Sequence, residues 1–110
     1  MIELLTSLVH EARALDSHKR LASKFNSFNS DKQSVKLLDW IVKCEVDHVR
    51  VGIKWFRFFS ASDQKREFQT RVKKLVGRLR PPFNVQARTE AGFPRDWYEK
   101  ESSLDAAERE

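Results

Sequence analysis

The sequence has little of what builds a disulfide-stapled, strand-rich or membrane-embedded protein. Its 110 residues include one cysteine, Cys44, three glycines and three prolines. A single thiol cannot close an internal disulfide, so a reducing, cytoplasmic setting is expected. Few Gly and Pro, with many Lys, Arg, Glu and Leu, favour helix over sheet. No apolar run approaches the ~20 residues needed to cross a bilayer, so no membrane partner is expected. The opening Met1-Ile2-Glu3-Leu4-Leu5 has no basic stretch before its apolar residues and makes a poor signal peptide. There is no phosphate-cradling glycine loop and no Ser-His-Asp arrangement. Neither sign of charge dominates: 21 basic and 16 acidic residues give +5, spread along the chain. Such a mixed surface does not make nucleic acid an expected partner.

What is present is helical patterning on the scale of one small domain. Leu4, Leu5, Leu8, Ala12 and Leu15 predict a first helix from Ile2 to about Leu15. Ser17 is positioned to cap a second, shorter helix with Leu21, Phe25 and Phe28 on one side. Asn26 to Asp31 reads as a loop. Ser30-Asp31-Lys32-Gln33 fits a capping box, and a long helix follows to about Phe59. Its inward positions are predicted as Leu38, Ile41, Glu45, His48, Val49, Gly52, Trp55, Phe56 and Phe59. Lys36, Lys43, Asp47, Arg50 and Lys54 point outward. On the inner face, Gly52 permits close approach of a neighbouring helix. Ser62 or Asp63 starts another helix, with Phe68, Val72, Leu75, Val76 and Leu79 inward and Pro81-Pro82 at its end. Asn84 caps a short helix that stops at Gly92. Phe93 to Tyr98 reads as an aromatic turn or short helix, expected to cover Phe58. Residues 1–98 are therefore read as the helical domain and 99–110 as a charged tail.

Glu45 and His48 form a Glu-x-x-His pair on the predicted inward stripe, where an uncompensated charge is costly. A carboxylate and an imidazole one helical turn apart can bind one metal ion. In di-iron and di-manganese bundles two helices each supply such a pair, and two others each supply a single Glu. Glu11, at the edge of the first helix's stripe, is the candidate single Glu. The 34 residues between Glu11 and Glu45 are enough to reverse the chain. The competing explanation is an ion pair of Glu45 with Arg13 or Arg50, with His48 a hydrogen-bonded core histidine. Cys44, at the stripe's edge, reads as a small buried side chain. The basic groups around His18 and from Lys73 to Arg80 read as solvated helix faces.

Three segments carry a resemblance. His10-Glu11-Ala12-Arg13-Ala14-Leu15-Asp16 is similar to an "EARGLD" segment. Cys44-Glu45-Val46-Asp47-His48-Val49, with Gly52 and Trp55-Phe56-Arg57, is similar to a "DEVGHV…G…RWF" segment. Pro82-Phe83-Asn84, Ala87-Arg88, Ala91-Gly92-Phe93 and Trp97-Tyr98 resemble a "PFN…AR…AGF…WY" signature. All three belong to a ferritin-like family catalogued as domain of unknown function 455. The resemblance implies an all-α, ferritin-like helical bundle, here a half-bundle corresponding to the C-terminal half of the family's fold. It places Glu11 at the single-Glu position and Glu45 and His48 at the Glu-x-x-His position of a di-metal centre, iron or else manganese. Any enzyme activity would be that of an oxygen-dependent di-iron oxidase or hydroxylase. With three ligands where such a bundle uses six, a homodimer or a complementary half-bundle chain is expected to complete the site. The alternative is a non-catalytic helical interaction module, or a truncated remnant without metal.

Overall fold

One helix, α1, runs unbroken over Ile2–Ser27. The break expected near Ser17 does not occur. No Gly or Pro interrupts this stretch, and Leu15 and Asp16 are both buried, so tertiary packing carries the helix through. Leu21, expected on the apolar side of a separate helix, is exposed. The computed structural model describes residues 1–27 and 32–99. The proposed capping box lies partly outside them, and so do Phe28 and most of the expected charged tail.

The second helix, α2, spans Lys32–Phe59. Leu8 lies 19 residues before the end of α1, and Gly52 lies 20 residues after the start of α2. The two meet: a Cβ at Gly52 would stand 3.0 Å from Leu8 Cδ1. The helices therefore form an antiparallel hairpin, and Gly52 allows the close approach the sequence predicts. The buried seam of α1 is Leu5, Leu8, Ala12 and Leu15, and that of α2 is Val46, Val49, Ile53 and Phe56. Both repeat in steps of three and four, the spacing of packed helix pairs.

Helix α3 covers Gln64–Leu75, capped by the Asp63 side chain, which accepts from the Arg66 amide. Gly77, at φ 83°, terminates it, well before the prolines expected to do so. Leu75 and Val76 are exposed although the periodicity placed them inward. Helix α4, Val85–Glu90, has Asn84 as its cap and Gly92 at φ 78° beyond its end, both as expected. Helix α5, Arg95–Tyr98, is a single turn. Its Trp97 does not cover Phe58. It packs with centroids 5.7 Å from Phe56 and 5.3 Å from Phe68, in the core between α2 and α3. Phe58 stays 74 % exposed. Among the described residues there is no strand, and no helix is long and apolar enough to cross a membrane.

Candidate metal centre

The α1–α2 hairpin brings Glu11, Glu45 and His48 together. One ligand-capable atom from each lies within 4.8 Å of the other two. Glu11 and Glu45 are half-buried at the helix–helix boundary, and His48 Nδ1 stands 4.0 Å from a Glu45 carboxylate oxygen. His48 is not inward as the periodicity predicted. Its side chain is 60 % exposed, against 23 % for Glu45. Neither arginine proposed to neutralise Glu45 is aimed at it. Arg13 donates to the Arg80 carbonyl at 2.7 Å and lies 3.6 Å from Asp16. Arg50 donates to Asp47 and to the Glu90 carbonyl. Asp47 points away from the cluster, toward solvent and Arg50, as the helical pattern implies.

Two carboxylates and an imidazole are a donor set that suits first-row divalent metals such as iron, manganese and zinc. Ligands held ~2.0–2.2 Å from one ion lie at most about 4.4 Å apart. The observed separations of up to 4.8 Å are somewhat wider, so the three side chains would have to draw together to hold one ion. Three such donors would leave coordination positions open on the exposed side. A depression of about 280 Å³, lined by Leu4, Leu8, Glu11, His48, Val51 and Trp55 among others, opens there.

The exposure of His48 has a simple cause: α2 carries two apolar faces, and periodicity merged them into one. The second face runs through positions 37, 41, 44, 48, 51, 55 and 58, in alternating steps of four and three. These are Leu37, Ile41, Cys44, His48, Val51, Trp55 and Phe58, a three-heptad seam of coiled-coil type with His48 at its centre. Leu37, Val51, Trp55 and Phe58 are all exposed, as are neighbouring Trp40 and Phe59. Trp55, Phe58 and Phe59 form an aromatic cluster on this surface. On α1 a parallel seam runs through Leu4, Ser7, Glu11, Ala14, His18 and Leu21. Among the described residues, the cluster thus lies in the middle of a helix-pair face that no other element covers. Exposed apolar side chains clustered on one face are a common feature of interaction sites.

A second polar constellation escaped the sequence reading as a structural unit. Asp16, Asn84 and Arg88 are all buried. Arg88 binds the Asp16 carboxylate through two nitrogens, at 3.1 and 2.7 Å. The Asn84 amide donates to the same carboxylate at 2.6 Å, and the Asn84 side chain donates to the Leu15 carbonyl. The Arg88 guanidinium stacks 4.8, 5.3 and 4.4 Å from the rings of Phe83, Phe93 and Tyr98. Burial pushes the Tyr98 phenol above its ordinary pKa. This knot fixes α4 and the aromatic segment to α1. The signal was available in the Phe83-Asn84, Ala87-Arg88 and Trp97-Tyr98 motifs, whose residues converge here with Asp16.

Fold and cluster together define an all-helical protein with a carboxylate–imidazole cluster on an uncovered helix pair. The chain belongs to the family described as Protein of unknown function (DUF455), whose model matches residues 4–99. It is similar to an uncharacterized protein of Haemophilus influenzae, 32 % identical over 108 residues. The match covers 91 % of this chain and 37 % of that protein, so the chain spans well under half of its relative's length. No solved structure matches.

Proposed function

We propose that this chain is half of a ferritin-like di-metal bundle, holding iron, or else manganese, through Glu11, Glu45 and His48. The observation carrying this reading is the convergence of those three side chains at the centre of an uncovered, heptad-patterned face. Glu11 and Glu45 would supply negative charge to offset the ion as carboxylate ligands. His48 is a terminal imidazole ligand. A second helix pair on the α1–α2 face supplies the remaining ligands and excludes water. A second copy of this chain related by a two-fold axis fulfils that role, because it presents the same three ligands. When bound, a di-iron centre supplies oxygen-dependent oxidation or hydroxylation.

The test is solution mass combined with metal analysis after expression with iron and manganese supplied. The expected result is twice the 13.0 kDa chain mass and about one metal ion per chain. Less than about a tenth of an ion per chain under both supplies refutes the metal reading.

A second reading, a non-catalytic interaction module, draws on the exposed seam alone. Glu45→Ala separates the two. Under the metal reading it abolishes metal binding and weakens the dimer. Under the module reading the dimer persists or tightens, because a partly buried charge is removed.

A further inference from the structure

Another concavity lies on the side of α1 turned away from the Glu11 cluster. It has a volume of about 260 Å³, and its apolar walls are Val9, Ala12, Val76, Leu79, Phe83 and Phe93. Arg13, Arg78 and Arg80 also line it. It shares no lining residue with the depression beside His48. Asp16, paired with Arg88, also stands 3.6 Å from Arg13 and offsets part of its charge, while the Arg80 side chain is exposed. The volume falls just under the ~300–1,000 Å³ typical of drug-sized ligand sites, which selects a small occupant.

We propose that this pocket binds a medium-chain carboxylate, with the alkyl chain between α1 and residues 76–83 and the carboxylate against the Arg13 and Arg80 guanidinium groups. Apolar walls alone would accept any small hydrocarbon. The arginine lining adds a requirement for an anionic head, because a guanidinium and a carboxylate pair through charge-assisted, two-pronged hydrogen bonds. Arg13 spends one nitrogen on the Arg80 carbonyl, which holds its guanidinium at the pocket. Arg80 is exposed and adds the second charge. This binding is independent of any metal at Glu11, Glu45 and His48.

The test is titration of the ¹⁵N-labelled 110-residue chain with hexanoate and octanoate below their micellar concentrations, followed by amide shifts. 1-Octanol and octyl phosphate serve as comparisons. Affinity is expected to rise about fourfold per added methylene. Shifts should map to residues 9–13 and 76–83, and octanol should bind at least about tenfold more weakly than octanoate. Val76→Trp, at an exposed position on the pocket wall, should abolish binding with the helical circular dichroism unchanged. Arg80→Gln should weaken octanoate but not octanol, and His48→Ala should change neither. Equal binding of octanol and octanoate overturns the proposal, as do shifts centred on the α2 seam or full binding by the Val76→Trp variant. Tighter binding of octyl phosphate than of octanoate overturns the carboxylate assignment.

Discussion

Asp16→Leu should be among the most destabilising single substitutions in this protein. It removes the acceptor of three hydrogen bonds, two from Arg88 and one from the Asn84 amide. The Arg88 side chain is 4 % exposed, so its charge would be left buried without a counter-charge. Breaking a buried pair by removing one partner costs about 3–5 kcal/mol. Stacking on three aromatic rings returns part of that, since cation–π contacts contribute about 0.5–2 kcal/mol at such sites. The orphaned Asn84 amide adds about 1–3 kcal/mol. A net loss of about 4 kcal/mol is therefore expected, a large share of the ~5–15 kcal/mol that holds a typical domain together. Urea denaturation followed by circular dichroism reads this directly. The double variant Asp16→Leu/Arg88→Met removes both charges and leaves only the amide unsatisfied. It should recover at least about 2 kcal/mol relative to Asp16→Leu. Should Asp16→Leu fail to fold, a folded double variant carries the same conclusion. The reasoning is refuted if Asp16→Leu lies within about 1 kcal/mol of wild type, or if the two single changes simply add.

Three further outcomes are expected. Trp40→Glu/Phe58→Glu, at side chains 63 % and 74 % exposed, should convert a dimer to monomer on size-exclusion light scattering while leaving the chain folded. Gly52→Ala gains about 1 kcal/mol of helix propensity but forces its Cβ to 3.0 Å from the buried Leu8 side chain. Overpacking of about 1–3 kcal/mol should prevail, giving a net loss of about 1 kcal/mol in thermal or urea melts. Ser60 donates to the Glu67 carboxylate, the largest cause holding that carboxyl below its ordinary value of 4.5, with Arg71 also contributing. A depressed folded pKa gives stability that is present above the unfolded value and lost as pH falls through the folded one. Ser60→Ala should therefore raise the Glu67 pKa in a carboxyl-carbon NMR titration and flatten the loss of stability below pH 4.5; an unchanged titration would contradict it.

Much of the helical layout was legible because its signals are local. Asp63 and Asn84 are capping residues whose side chains accept from the helix's own amides, and Gly92 supplies a positive φ. Gly77 was overlooked as the end of α3 because the two prolines beyond it looked like the stronger stop. The inward pattern of α2 was harder. One helix with two apolar faces has the composition of a single broad stripe, so Trp55 and Phe59 were placed inside although both are exposed. The Asp16–Arg88 knot depends on partners 72 residues apart, a separation that no local periodicity encodes. Glu11, Glu45 and His48 were grouped from the Glu-x-x-His spacing and the family resemblance; the register that brings them together depends on the unbroken α1, which the sequence reading split near Ser17. Their position at a boundary, rather than inside, followed from the second face.

The separation between Asp16 and Arg88 also sets a timetable. Asp16 emerges from the ribosome 72 residues ahead of its partner, about 4–14 s earlier at ordinary rates of synthesis. For the last part of that interval, once Phe59 has emerged, the α1–α2 hairpin has a carboxylate facing a gap that α4 will later fill. Chaperone access and proteolysis of the nascent chain should therefore change sharply once Arg88 is exposed, although the two long helices were complete well before.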